Sequence, residues 1–188
     1  PQFVSLLVMR SMLSQDGIIN VMLKNAGWIQ KSLPFFSNVA WARITVIVVN
    51  LWIGIPYTMM QVTGILQNIP LELYEAAEVD GAGPVIRFFK ITLPYMLFVT
   101  TPYLITTFTA NINNFNIVYL LTKGDPVLSG NTAGKTDLLV TWLYKMTVDY
   151  QYYNLGAVIG IMTFIFLAIG SLLVYRRTKS YKDEEGFQ

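Results

Sequence analysis

The 188-residue chain contains no cysteine and no histidine. Without Cys there is no disulfide, thiolate nucleophile or thiolate metal site. Without His the commonest general base and metal ligand is missing, which excludes Ser-His-Asp triads and zinc hydrolases. Charge is scarce as well: 13 Lys and Arg with 11 Asp and Glu make only 13% of the chain, roughly half the ~25% of a soluble domain. A net charge of +2 gives no reason to expect a nucleic-acid partner. Apolar residues fill the space instead, at 54% with 11 Phe and 11 Tyr. Length alone would suit one soluble domain. The composition points to a polytopic, all-α membrane protein that is not itself an enzyme, with no catalytic residue and no metal site.

The spacing of the charges sharpens this. Ile44 to Leu71 (28 residues), Ile91 to Thr122 (32 residues) and Tyr150 to Tyr175 (26 residues) contain no Asp, Glu, Lys or Arg. A bilayer core needs about 20 apolar helical residues, so each stretch is long enough to span. The expected spanning helices run over 42–66, 95–121 and 155–175, with Gly54 and Pro56 marking a kink in the first. Residues 1–13 open on a short apolar run, Phe3 to Met9, with no basic segment before it, which does not read as a signal peptide. It reads as the end of a fourth membrane helix, making the chain the C-terminal part of a longer protein. Residues 14–40 form a polar connection, 67–94 a polar segment, and 122–154 a second connection, turn-rich at Lys123-Gly124-Asp125-Pro126 and amphipathic from Thr136 to Met146.

Orientation by basic residues is tied. One side carries Arg87, Lys90, Arg176, Arg177, Lys179 and Lys182, the other Lys24, Lys31, Arg43, Lys123, Lys135 and Lys145. The tight Arg176-Arg177 pair favours a cytoplasmic C-terminus.

Between the first two spans the sequence reads Tyr74-Glu75-Ala76-Ala77-Glu78-Val79-Asp80-Gly81-Ala82-Gly83-Pro84 and then Phe89-Lys90-Ile91-Thr92-Leu93-Pro94. Pro70 suits a first turn, and Glu72 and Glu75 suit the positive end of a helix. Gly81 is placed to stop that helix and Gly83-Pro84 to start the next. Leu71, Tyr74 and Glu78 fall near one face, beside a low patch at Ala76 and Ala77 able to approach a groove on another protein. From helix physics alone, an ordinary interfacial helix closed by Gly81 fits equally well.

The spacing Glu75-Ala76-Ala77, Gly81, Ile91, Leu93-Pro94 resembles the hallmark of the membrane-spanning permease subunits of ATP-binding-cassette importers. The fuller wording, with Asn111-Ile112-Asn113-Asn114-Phe115 further on, is similar to the carbohydrate branch and within it to the larger maltose/maltodextrin subunits. The resemblance covers essentially the whole chain. It implies that 67–94 is a cytoplasmic coupling loop, in which Glu75, Ala76, Ala77, Asp80, Gly81, Leu93 and Pro94 meet the ATPase. It also implies that 122–154 is extracellular. The partners it implies are a second homologous permease subunit, an ATP-binding-cassette ATPase dimer that binds ATP and Mg, and an extracellular sugar-binding protein, all in a bacterial or archaeal cell membrane. This chain has no G-x-x-x-x-G-K-[ST] phosphate loop of its own, and no cofactor is expected on it.

Neutral polar groups lie within the uncharged spans. Asn50, Gly54 and Tyr57 form one stripe of the first. Helical spacing puts Asn111 and Asn114 on one face of the second, and Asn113 and Asn116 on another. Carboxamides offer donors and acceptors to sugar hydroxyls, and Tyr57, Phe108, Phe115 and Tyr119 offer faces for stacking. At about 1.5 Å per residue, Asn50 lies about 9 Å from the outer end of its span and Asn111 about 30 Å from the inner end of its own, so both fall in the outer half of a ~30 Å core. The resemblance places sugar contacts at Gln2, Asn50, Ile53, Gly54, Tyr57, Ala110, Asn111 and Asn114. Gln2 stands where the family has a small hydroxyl residue, and Ala110 where it has an aromatic one. The bland alternative is that the Asn residues are interhelical hydrogen-bond glue. The expected function is a permease subunit for a neutral sugar. A permease for another solute, such as another oligosaccharide or a polyol phosphate, and a non-transporting membrane interaction subunit remain the alternatives.

Overall fold

The computed structural model describes residues 1–177. The basic residues Lys179 and Lys182, counted above for orientation, lie outside the described residues. The helices are α1 (Gln2–Met12), α2 (Ile18–Asn25), α3 (Val39–Leu66), α4 (Leu71–Val79), α5 (Pro84–Arg87), α6 (Leu93–Ile112), α7 (Phe115–Leu121), α8 (Leu139–Tyr144) and α9 (Tyr153–Arg177). Single π-turns, Phe88–Thr92 and Lys145–Asp149, join α5 to α6 and extend α8. Extended pairing among the described residues is one isolated bridge between Val127 and Gly134.

Three helical stretches are long and apolar enough to cross a membrane: Val39–Leu66, Pro84–Leu121 and Tyr153–Arg176. Only 17%, 6% and 0% of their most apolar windows are buried inside the protein, so the protein itself does not cover these side chains. Met162, Phe164 and Phe166 stand out from α9 in this way. Apolar residues all round a helix require an apolar surrounding. Helix is also the open-chain structure that satisfies every backbone group within hydrocarbon, which overrides the many β-branched residues of α3. That helix continues through Pro56.

The chain divides into two compact units. The first holds Pro1–Gly54 and Asn111–Ile165. Its core joins Leu6, Val49, Ile117, Val118 and Leu121, with Met9, Leu13, Phe36, Ile53 and Leu138 packed around them. The connection expected over 14–40 is tied down by a helix the polar composition hides, α2. Its fully buried Asn20 accepts from the Leu33 amide at 2.8 Å and donates to the carbonyls of Ser14 (3.1 Å) and Leu33 (3.3 Å).

The connection expected over 122–154 is equally ordered. Asp137, its side chain 3% exposed, pairs with Lys145 at 2.7 Å. The same carboxylate accepts from the Gly134 amide (2.7 Å) and the Thr141 hydroxyl (2.9 Å). Thr122 and Thr136 share a hydroxyl hydrogen bond of 2.8 Å, and Thr136 also donates to the Asp125 carbonyl. Gly124 has φ +86°, and a Cβ there would meet the Asp137 carboxylate and the Lys145 ammonium. A residue other than glycine would therefore part the ion pair.

The second unit holds Ile55–Ala110 and, among the described residues, those from Phe166 to the end of α9. Thr58 and Tyr103 share a hydroxyl hydrogen bond of 3.3 Å, joining α3 to α6, and Thr109 and Ser171 share one of 2.9 Å, joining α6 to α9. These neutral hydroxyl pairs knit the helices where hydrocarbon gives apolar contacts no preference for protein over lipid.

Candidate functional site

Two sets of residues carry the functional expectation, one in each unit.

The first set gathers around Asn50. The second span was expected as one helix over 95–121, but it breaks after Ile112, and Asn114 caps α7 by accepting from the Ile117 amide at 3.3 Å. The cause is local: Asn side chains compete with the backbone ladder for hydrogen bonds, and four of the six residues 111–116 are Asn. Asn111 and Asn114 therefore do not share a helical face. They nonetheless converge, because both reach Asn50 on α3. Asn50 Nδ2 donates to Asn111 Oδ1 at 2.8 Å, and Asn114 Nδ2 approaches Asn50 Oδ1 at 3.5 Å. Three neutral carboxamides meet at one place, with Asn50 and Asn114 half-buried and Asn111 exposed. Such a cluster can exchange hydrogen bonds with hydroxyl groups, but it cannot compensate a buried charge or hold a proton.

The other residues expected beside them are arranged differently. Ile53 packs against the core of the first unit. Gly54 is exposed, and a Cβ on it would meet nothing within 4 Å. Gln2 is the exposed first residue of α1, one turn before Leu6. Tyr57 is 68% exposed and belongs to the second unit, as do exposed Phe108 and Ala110. Phe115 and Tyr119 are not the open stacking faces expected. They stack on each other at 4.8 Å between centroids, and Tyr144 packs on both at 5.1 and 5.0 Å. Sequence spacing held no sign of Tyr144, which arrives from α8.

The second set lies on α4 and the turn after it. Gly81 has φ +76°. Its amide donates to the Glu78 carbonyl and that of Ala82 to the Ala77 carbonyl, at 3.0 and 2.8 Å, a Schellman ending that needs the left-handed conformation Gly tolerates. Leu71, Glu72, Glu75, Ala76, Val79 and Asp80 are exposed, Val79 at 89%. Of the face expected to hold Leu71, Tyr74 and Glu78, Tyr74 is half-buried, while Glu78 stays exposed with its carboxylate held by Arg87. Tyr74 and Thr92 share a hydroxyl hydrogen bond of 2.8 Å, and Arg87 pairs with Glu78 at 3.1 Å. The outward stripe is instead Leu71, Glu75 and Val79, at i, i+4 and i+8. Leu93 and Pro94 open α6. Pro94 has no N–H for the Lys90 carbonyl, and the helix widens there into the π-turn Phe88–Thr92.

A family model described as the inner membrane component of binding-protein-dependent transport systems matches residues 1–179. The chain belongs to that family. It is 43% identical over 152 residues to the galactooligosaccharides transport system permease protein GanP of Bacillus subtilis, covering 81% of this chain and 36% of that protein. It is 42% identical over 180 residues to the maltose/maltodextrin transport system permease protein MalF of Escherichia coli K12, covering 93% and 34%. The chain thus spans about a third of the length of the curated relatives it matches. Its fold is shared with a bacterial alginate ABC transporter crystallised with an alginate pentasaccharide-bound periplasmic protein. That likeness has a TM-score of 0.78 at 21% identity, over 95% of this chain and 60% of the other. The family consists of transport components of the membrane, in keeping with the three apolar stretches.

Proposed function

We propose that the protein is a membrane-spanning permease subunit of an ATP-driven importer for a neutral oligosaccharide of the maltodextrin class. It forms part of the translocation pathway, and ATP with Mg is bound and hydrolysed by a partner ATPase dimer. A second homologous permease subunit completes the pathway, and an extracellular sugar-binding protein delivers the solute to the side that carries 122–154. The protein sits in the cell membrane with its C-terminus in the cytoplasm, and α4 meets the ATPase through Leu71, Glu75 and Val79.

The observation that carries this reading is the convergence of Asn50, Asn111 and Asn114 within the stretches 44–71 and 91–122, which hold no charge. An anionic solute such as a polyol phosphate wants Arg or Lys beside its path. Hydroxyl groups want neutral donors and acceptors, which carboxamides supply. The names of the relatives, a galactooligosaccharide permease and maltose/maltodextrin permeases, agree with that chemistry.

The test is maltose-stimulated ATP hydrolysis in the complex reconstituted with its ATPase and binding protein. Asn114→Ser keeps a side-chain acceptor for the cap of α7 but withdraws the amide, so the half-saturating sugar concentration should rise roughly fivefold. Asn116→Leu, outside the cluster, should leave it in place. A shift with Asn116→Leu and none with Asn114→Ser, or no response to maltose in the unaltered complex, would sink the assignment.

A further inference from the structure

We infer that Tyr74, Glu78, Arg87 and Thr92 form a two-point clasp that makes α4 and the foot of α6 move as one body. They are positioning residues for the coupling step and rest on the permease reading above. The covalent link between α4 and α5 is the short turn 80–83, which holds Gly81 at φ +76° with open space around it and a second glycine, Gly83. Two glycines in such a turn would leave α4 free to swing on a hinge. Across that hinge run the Tyr74–Thr92 hydrogen bond at 2.8 Å and the Glu78–Arg87 ion pair at 3.1 Å.

The spacing shows why both bonds form. Tyr74 and Glu78 are four apart on α4, one turn up the same face. Their partners Arg87 and Thr92 are five apart. In an α-helix five residues turn through about 500°, leaving the two side chains about 140° out of phase. In a π-turn the ladder closes at i→i+5, so residues five apart return to one face. The π-turn occupies Phe88–Thr92, between the two clasp points, and brings Thr92 round to the side that Arg87 occupies. Pro94, which denies Lys90 its usual partner, favours the widened turn. The leucine-proline end of the motif thus sets the phase of the clasp, and Tyr74 and Glu78 are its other half. A push on the exposed stripe of α4 then reaches α6 as a rigid displacement and is not lost in the glycine turn.

The experiment uses the permease complex reconstituted with its ATPase and binding protein, and it measures maltose taken up per ATP hydrolysed. The double variant Tyr74→Phe/Arg87→Met should go on hydrolysing ATP while uptake per ATP falls about three- to tenfold, the range one lost hydrogen bond spans. Arg87→Glu alone should also fall, and the exchange Glu78→Arg/Arg87→Glu should return uptake per ATP to within about twofold of the unaltered complex. Should the double variant fail to insert, Tyr74→Phe, which removes a single oxygen, and the charge exchange carry the test. Unchanged uptake per ATP in Tyr74→Phe and in Arg87→Glu, or an exchange that does not recover, overturns the clasp while leaving the permease reading intact. An unaltered complex that takes up no maltose overturns the permease reading itself.

Discussion

Replacing Asp137 by Leu removes one partner of a buried pair and leaves the other in place. The Asp137 and Lys145 side chains are 3% and 12% exposed and 2.7 Å apart, so water screens the pair little. Losing the carboxylate strands the ammonium and the Gly134 amide, which Asp137 accepts at 2.7 Å. Thr141 is spared, because its hydroxyl also bonds the backbone of Leu138. Breaking a buried pair from one side costs about 3–5 kcal/mol. Lys145→Met should cost less, about 1–3 kcal/mol, since Asp137 keeps two neutral donors. Asp137→Leu/Lys145→Met should be less damaging than Asp137→Leu alone, because no charge is left behind. Hydrogen exchange of the Gly134 and Leu138 amides in lipid nanodiscs reads this directly. At tenfold per 1.4 kcal/mol, Asp137→Leu should raise the exchange rate about a hundredfold or more. Equal rates in Asp137→Leu and Lys145→Met, or faster exchange in the double variant than in Asp137→Leu, would refute the account of an ion pair holding the loop.

Gly124→Ala should loosen the same amides by about 1–3 kcal/mol, as its Cβ meets both charged groups at a left-handed φ. Asn20→Ala should cost about 2–4 kcal/mol, by leaving both backbone groups of Leu33 without their partner, read as earlier thermal unfolding of the detergent-solubilised protein. Gly81→Ala should cost only about 1 kcal/mol because the space is open, and Gly81→Val distinctly more. Both should insert at normal levels, with Gly81→Val losing the larger share of uptake per ATP; equal effects would mean that the left-handed turn is not what the position requires.

The three apolar stretches were legible in the sequence because charge is absent over lengths that no packed core demands. The ends of the first and third differ by no more than three residues from those expected, whereas the second stretch begins at Pro84, well before the expected start. The break at Asn113 was not legible. Helical spacing treats Asn111 and Asn114 as neighbours on a face, whereas the chain spends Asn114 on a cap and reaches Asn50 by a different geometry. The face of α4 was misread for a related reason. Tyr74, Glu78 and Leu71 share a side by spacing, but which of them is bonded depends on Arg87 and Thr92, whose relative phase comes from a π-turn that Pro94 favours and α-helical spacing does not anticipate. The pairing of Asp137 with Lys145 left no trace in sequence either, since eight residues and a change from α8 to a π-turn separate them. In each case the local alphabet was read correctly, and the register between elements was decided by one or two distant contacts.

The carboxamide cluster is internally bonded as it stands, and that bears on how tightly it can hold a solute. Asn50 already donates to Asn111 and lies within reach of Asn114, whose oxygen serves the Ile117 amide. A hydroxyl entering the cluster therefore exchanges one neutral hydrogen bond for another and does not fill an empty site. Its net gain is the small difference between two bonds of similar strength, about 1 kcal/mol or less for polar pairs within a membrane. Charged groups in the same place would bind a partner far more tightly and would cost more to vacate. A pathway must admit its solute and then release it, so binding strong enough to trap would defeat passage. Three amides that can satisfy one another before and after the solute passes meet that requirement. On the reading proposed above, the absence of charge from 44–71 and 91–122 limits affinity as well as selecting neutral solutes.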